Sequence, residues 1–308
     1  MKNNIILLSV ATLSLLSGCG IYTSYKPETS VPDNLFRDEE MATDTTSIGN
    51  LDWRELFTDP QLQVLIDKGL ENNTDFRTAH LRVQEAEAAL MTSRLAYLPA
   101  LNLTPQGTLS SFDGSKAAKS YQLAASASWE IDIFGRLTNA KRSAQAALEQ
   151  TKSYKQAVRT QLIATIANSY YTLLLLDKQL VVSERTASLW KENVQAMYAL
   201  KKAGLTNEAA VSQSEANSLN VEASLLTLRQ QINEMENSLS NLLGEVPRKI
   251  ERGDLDGQEF PQSLSAGVPV ALLSNRPDVR QAEYSLAQAF YVTNGARSAF
   301  YPSINLSG

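Results

Sequence analysis

From about Leu137 to Lys202 the chain carries neither proline nor glycine. No other feature restricts the fold as strongly. A helix of some 65 residues at 1.5 Å rise is roughly 100 Å long, far beyond the three or four turns usual in globular domains. One compact core cannot wrap it, so other helices must cover it along its length. Ala140, Ala144, Ala147, Thr151, Tyr154, Val158, Leu162, Thr165 and Ser169 step mostly by fours and threes, as expected of a coiled-coil seam lined by small side chains. Ala203-Gly204 ends the run, with Gly204 in the position of a left-handed cap. Further helices are predicted over Asn207–Leu243, closed by Gly244 and Pro247, and over Asp75–Leu98. Their lengths, about 55 and 36 Å, sum nearly to that of the long helix. Two short helices laid end to end along one long one would make a uniform helical wall.

Self-comparison reveals a repeat. Placing Asn72–Leu103 on Asn275–Leu306 gives ten identities in 32 positions, among them Asp75/Asp278, Arg77/Arg280, Arg94/Arg297, Pro99/Pro302 and Asn102-Leu103/Asn305-Leu306. Each copy reads as a helix start, about six turns of helix, a proline and an alternating strand. Thr74 is the expected cap of the first helix, and Pro277 takes a first-turn position in the second, where a missing N–H costs nothing. A period near 200 residues is too long for a solenoid and points to two similar halves, only the first of them complete. The chain stops at Asn305-Leu306-Ser307-Gly308 as a strand opens, which reads as the front part of a longer polypeptide.

Between the helices lies a predicted β-hairpin. Tyr121, Leu123, Ala125, Ala127, Trp129 and Ile131 alternate with Gln122, Ala124, Ser126, Ser128, Glu130 and Asp132, so one face is apolar and the other polar. Leu101–Phe112 alternates less cleanly, and Asp113-Gly114-Ser115 is a turn signal. Both strands reach the nine to eleven residues that a tilted membrane strand needs. Lipid on one side and water on the other explains the alternation; a half-buried soluble hairpin would alternate in the same way. No segment beyond the amino terminus offers the roughly 18 consecutive apolar residues of a membrane helix.

Residues 1–18 read as a leader: Lys2, then an apolar stretch from Ile5 to Leu16, too short to span a bilayer. It ends in Leu16-Ser17-Gly18-Cys19, which resembles a bacterial lipobox, so Cys19 is expected to carry S-diacylglycerol and an N-acyl group. Gly20 is not aspartate, and by analogy with lipoprotein sorting the destination is the outer membrane. Residues 20–48 lack periodicity and read as an extended arm.

Composition removes several function classes. One cysteine and one histidine exclude a disulfide scaffold and a Cys/His zinc site. A formal charge of −5 without a run of basic residues excludes a nucleic-acid surface. Glu130 and Asp132 share a strand face and could act as acid and base, but no nucleophile or histidine lies near them in sequence, and carboxylates at alternate positions suit any polar wall. His80 reads as a surface or seam residue of its helix. Tyr170-Tyr171 with Leu173 to Leu176 reads as core. The best docking site is the tip Leu200, Ala203, Gly204, Leu205 and Thr206, a turn at the far end of a long helix.

Trp53, Phe57, Asp59-Pro60, Leu62, Leu65-Ile66, Asn73, Asp75, Arg77, Ala79, Arg82-Val83, Ala86 and Pro99 resemble the opening of the TolC-type outer membrane factors. Trp129-Glu130-Ile131-Asp132-Ile133-Phe134-Gly135-Arg136 is similar to the strand-to-helix signature of that family's efflux lipoproteins. Asn275-Arg276-Pro277-Asp278-Val279, with Ala282-Glu283 and Leu286, resembles the start of its second repeat. The resemblance implies a mainly α fold with a membrane β-hairpin. Long helical hairpins would form a periplasmic α-barrel, and four strands from each of three protomers a twelve-stranded outer-membrane barrel.

It divides the chain into residues 1–18 (leader), 19–58 (acylated end and arm), 59–98 (helices of the first repeat), 99–133 (membrane hairpin), 134–245 (long helical hairpin), 246–274 (equatorial connector) and 275–308 (start of the second repeat). It implies a passive efflux conduit rather than an enzyme, working as a homotrimer with a periplasmic adaptor (membrane fusion protein) and an inner-membrane resistance-nodulation-division pump. Gln122, Ser126, Ser128, Glu130 and Asp132 would face the lumen. Tyr121, Leu123, Ala125, Ala127, Trp129 and Ile131 would face outer-membrane lipid. The tip would meet the adaptor. Relatives often carry Asp where this chain has Ala210, which leaves the cap of the second hairpin helix open. A type I secretion channel is the alternative within the same architecture. A periplasmic adaptor or a structural coiled-coil lipoprotein is the alternative from another class; the first lacks its Gly- and Val-rich β domains here, and the second would not need the strands.

Overall fold

The computed structural model describes residues 23–27, 52–111, 113–114, 116–258 and 276–308. The leader, Cys19 and Gly20 lie outside the described residues. A short helix α1 (Trp53–Leu56) precedes α2 (Pro60–Asn72) and α3 (Thr74–Leu95). Strands β1 (Ala100–Ser110) and β2 (Ala118–Ile131) follow, then the long α4 (Arg136–Lys202) and α5 (Glu208–Leu242). After a 3-10 turn at Leu255–Gly257 come α6 (Pro277–Ser298) and β3 (Ile304–Ser307). No helix among the described residues is long and apolar enough to cross a membrane.

The repeat read from the sequence has matching boundaries. Thr74 and Pro277, which open α3 and α6, stand 203 positions apart, and so do Leu95 and Ser298, which close them. Pro277 holds the first helical position, as expected. The cap of α3 is Asn73 rather than Thr74: Asn73 Oδ1 accepts from the Phe76 N–H at 3.0 Å, and Thr74 is already helical. Asn73 Nδ2 also donates to the Leu242 carbonyl at 3.0 Å, so one buried side chain serves the ends of two helices. This dual role places Asn73 at the junction and leaves Thr74 free of it.

The chain divides into two compact units. One comprises Met1–Asp38, Ala79–Gln156 and Val270–Gly308; the other comprises Glu39–Thr78 and Ala157–Pro269. In the first, Val83 and Leu90 of α3 pack on Leu148 and Ala144 of α4. In the second, Leu62, Leu65 and Ile66 of α2 close on Leu162, Ile166, Tyr170, Leu173 and Leu174 of α4, with Leu239, Leu243 and Ile250 completing the core. Tyr170, Leu173 and Leu174 are buried as expected, whereas Leu175 is exposed.

The seam of α4 differs from its expected register. Fully buried positions include Leu137, Asn139, Ala146, Leu148, Ser153, Leu162, Ile163, Ile166 and Ala167. Of the small-residue stripe, only Leu162 is fully buried and Ala140 is exposed. The helix is covered on a neighbouring face, where Leu and Ile side chains alternate with small ones such as Ala146, Ser153 and Ala167.

The segment after α5 is pinned by charge. Arg252 Nε and Nη2 donate to Asp177 at 2.5 and 2.8 Å, and its Nη1 pairs with Glu236. The Ile250 N–H also donates to Glu236. Gly244, at φ 66°, ends α5 in a left-handed conformation that a β-carbon opposes, and a β-carbon there would meet the Asn72 carbonyl oxygen at 3.0 Å.

Candidate functional site

The sheet has the order β1-β2-β3, all antiparallel. Its registers decide which side chains share a face. Leu101 stands opposite Ala127, Leu103 opposite Ala125 and Pro105 opposite Leu123. Asn102 stands opposite Ser126, and Gln106 opposite Gln122. On the other edge Leu306 pairs with Trp129, Ile304 with Ile131 and Asn305 with Glu130. Since alternate residues point to opposite sides, three strands agree on one apolar and one polar face. The turn falls at Asp113-Gly114, as expected.

Neither face is covered by the described residues of the protomer. Leu101 is 81% exposed and Tyr121 82% exposed, and Leu103, Leu109 and Leu123 are exposed too. Gln122, Ser126 and Ser128 on the opposite face are exposed too, and Glu130 is partly so. A soluble hairpin would bury its apolar face on the helices; this one does not. So large an uncovered apolar ribbon requires something apolar outside the chain.

One residue assigned to the strand leaves it. β2 ends at Ile131, and Asp132 caps α4 instead. Its carboxylate accepts from the N–H of Leu137 at 3.0 Å, the N–H of Thr138 at 2.8 Å and the Thr138 hydroxyl at 2.7 Å. The four leading N–H groups of a helix need acceptors, and that demand outweighs the strand alternation. Glu130 stays on the polar face but pairs with Arg136. Both carboxylates therefore serve the strand-to-helix junction. Trp129 Nε1 donates to the Tyr97 carbonyl at 3.0 Å, and Phe134 stacks on Tyr301 at 4.8 Å. With Phe300, 92% exposed, these rings collect where strands become helices.

The tip is built by backbone geometry. Gly204 has φ 73°, and the Leu205 N–H returns to the Leu200 carbonyl at 2.9 Å while Gly204 N–H reaches Lys201, closing α4 in a Schellman turn. Nothing lies within 4 Å of a β-carbon placed on Gly204. Asn207 resolves the open cap: its Oδ1 accepts from the Ala210 N–H at 3.0 Å, so no aspartate is needed at 210. Lys201 pairs with Glu208 across the turn, and the Tyr198 hydroxyl donates to Glu215 at 2.5 Å, raising the pKa of the phenol by that hydrogen bond. Leu205 projects 74% exposed and Leu200 is 40% exposed, beside a shallow depression lined by Tyr198, Ala199, Lys201 and Lys202. The five tip residues are thus contiguous in space. Tyr198, which sequence reasoning did not include, belongs to the same surface.

The single histidine is a surface residue of α3, with Nδ1 at 3.1 Å from Lys155 Nζ. Sequence reading missed the docking of the amino-terminal segment on α6: the Tyr25 hydroxyl donates to Glu283 at 2.6 Å. No motif signals a contact between residues so far apart.

Residues 65–245 match the outer membrane efflux protein family. The probable outer membrane lipoprotein SilC of Salmonella typhimurium is 29% identical over 309 residues, 98% of this chain and 67% of its own. The cation efflux system protein CusC of Escherichia coli is 28% identical over 307 residues, 98% and 67%. The toluene efflux pump outer membrane protein TtgC of Pseudomonas putida is 28% identical over 317 residues, 98% and 65%. Crystal structures of CusC (27% identity, TM-score 0.75) and of the open state of the Neisseria gonorrhoeae MtrE outer membrane channel (27%, 0.77) each superpose on 92% of this chain and 66% of their own. The chain spans about two thirds of the length of these relatives.

Proposed function

This chain belongs to the outer membrane efflux protein family, and on that premise we propose that it is a subunit of a passive export channel in the outer membrane. The observation that carries the reading is the two-faced sheet: three strands in one register, apolar on one side and polar on the other, with neither side covered by the described residues. Lipid takes the apolar face and water the polar one. β1 and β3 leave open edges, which a membrane strand can tolerate only by closing a barrel. Neighbouring copies close it, and a homotrimer is the assembly this reading adopts.

Gln122, Ser126, Ser128 and Glu130 then line the lumen, and Tyr121, Leu123, Ala125, Ala127, Trp129 and Ile131 meet lipid. Acyl groups on Cys19 tether the subunit to the outer membrane. The tip around Leu200, Ala203, Gly204, Leu205 and Thr206 receives a periplasmic adaptor, which couples the conduit to an inner-membrane pump of the resistance-nodulation-division class. CusC belongs by name to a cation efflux system and TtgC to a toluene efflux pump, and we assign the choice of cargo to the pump rather than to this conduit.

The test is assembly and conductance. Protein extracted from the outer-membrane fraction in mild detergent is expected to migrate as a heat-modifiable trimer and to give discrete conductance steps in planar bilayers. A monomer without conductance, released from membranes once its acyl groups are removed, would contradict the proposal.

A further inference from the structure

Helices α3 and α6 are repeat copies with the same bounds at a fixed offset, and the described amino-terminal residues 23–27 meet α6. The Tyr25 N–H donates to the Tyr291 hydroxyl at 3.1 Å, and the Tyr25 hydroxyl donates to Glu283 at 2.6 Å. The Tyr25 ring meets Phe290 edge-on at 5.7 Å. Arg142 of α4 lies over the Tyr291 ring at 5.8 Å and reaches the Thr23 carbonyl. Of the five described residues of this segment, only Tyr25 is partly buried. The repeat partners of Glu283, Phe290 and Tyr291 on α3 are His80, Glu87 and Ala88. They offer no aromatic platform, and at the position of Glu283 they put an imidazole where a carboxylate accepts the phenol. The groups that hold Tyr25 thus sit where the two copies differ.

Distance gives this clasp a meaning. Tyr291 lies about 13 Å along the helix direction from Phe300, which with Trp129 and Tyr97 marks the aromatic level between strands and helices, where a membrane interface is expected. Cys19 precedes Tyr25 by six positions, a span of at most about 20 Å. The segment also enters from the right side: Thr23 contacts Arg142, near the strand end of α4, whereas the Tyr25 hydroxyl contacts Glu283, near the far end of α6.

We propose that Tyr25 is a clasp that binds the acylated amino-terminal segment to α6 of the second repeat, at a depth from which Cys19 can reach the membrane interface. This rests on the outer-membrane reading above and adds to it a specific docking site for the anchor, on the second repeat. Glu283, Phe290 and Tyr291 form the receiving surface, and the spacer between Cys19 and Tyr25 is long enough to span the distance to the interface.

Amide exchange measured on the lipidated protein in outer-membrane vesicles tests this. In the wild type the Tyr25 amide should exchange slowly. In Tyr291→Phe combined with Glu283→Gln it should exchange roughly tenfold faster or more, with membrane attachment and oligomer unchanged. Deleting residues 20–22 leaves about 10 Å of reach, short of the interface, and should release the clasp while the acyl anchor holds. A six-residue Gly/Ser insertion after Gly20 should keep it closed. Wild-type exchange as fast as in the double variant would overturn the proposal, and so would an anchored deletion variant with full protection. Electrophoresis of the same samples reads the oligomer, so a missing trimer with Tyr25 still protected would mark failure of the channel reading and not of the docking.

Discussion

Tyr170 donates its phenolic proton to Asp59 Oδ2 at 2.6 Å, joining α4 to the residue that caps α2. The same carboxylate accepts from Gln258 Nε2 at 2.8 Å, and its other oxygen accepts from the Gln61 N–H at 2.8 Å. The Tyr170 oxygen in turn accepts from the Gly253 N–H at 3.1 Å. Burial raises the Asp59 pKa, but the hydrogen bonds from Tyr170, Gln258 and the backbone of Gln61 and Leu62 lower it by more, leaving it below the ordinary carboxylate value. A carboxyl depressed in the folded state contributes stability that is full above its unfolded pKa and disappears as pH falls through the folded one. Thermal melts should therefore show a loss of stability below about pH 4 that is smaller in Asp59→Asn. Tyr170→Phe should cost about 1–2 kcal/mol at pH 7.

Arg252 and Glu236 are nearly inaccessible, with side chains 8% and 11% exposed. Replacing Arg252 by Met leaves Glu236 buried beside Ile250 with its charge uncompensated. A loss of about 3–5 kcal/mol is expected by chemical denaturation. Adding Glu236→Gln should recover part of it, because the amide oxygen can still accept from the Ile250 N–H.

Two left-handed glycines should respond differently to alanine. At Gly204 a β-carbon meets open space, so only the backbone penalty of about 1 kcal/mol applies. At Gly244 the β-carbon would also lie 3.0 Å from the Asn72 carbonyl oxygen. Gly244→Ala should lower the melting temperature clearly more than Gly204→Ala. If the tip receives an adaptor as proposed, the latter should show its main effect on that binding.

Leu175, Val182 and Leu189 stand seven positions apart on α4 and are 57%, 58% and 56% exposed; Leu219 and Leu226 repeat the spacing on α5. A heptad stripe left open in the protomer is a coiled-coil seam awaiting a partner. Val182→Asp should leave helix content by circular dichroism unchanged and abolish the heat-modifiable oligomer.

The elements that depend on periodicity were legible in the sequence. The absence of breakers marked α4 to within a residue, the self-similarity placed α3 and α6, and strict alternation placed β2. What escaped depends on pairing between distant positions. Asp132 continues the alternation of β2 in sequence, and only the demand of α4 for N–H acceptors pulls it out. Asn73 outcompetes Thr74 as a cap because it also reaches Leu242. The small-residue stripe of α4 could not reveal which of several helix faces the protomer itself covers. Nothing local foretells that Tyr25 meets Glu283, or that Arg252 meets Asp177.

The central claim is that one face of the sheet meets lipid and the other water. Single cysteines at Ser126, Ser128, Leu123 and Ala125, introduced into the acylated protein, can be challenged in intact outer-membrane vesicles with a membrane-impermeant maleimide. Ser126→Cys and Ser128→Cys should label readily, and Leu123→Cys and Ala125→Cys should not. Equal labelling at all four positions would contradict the account.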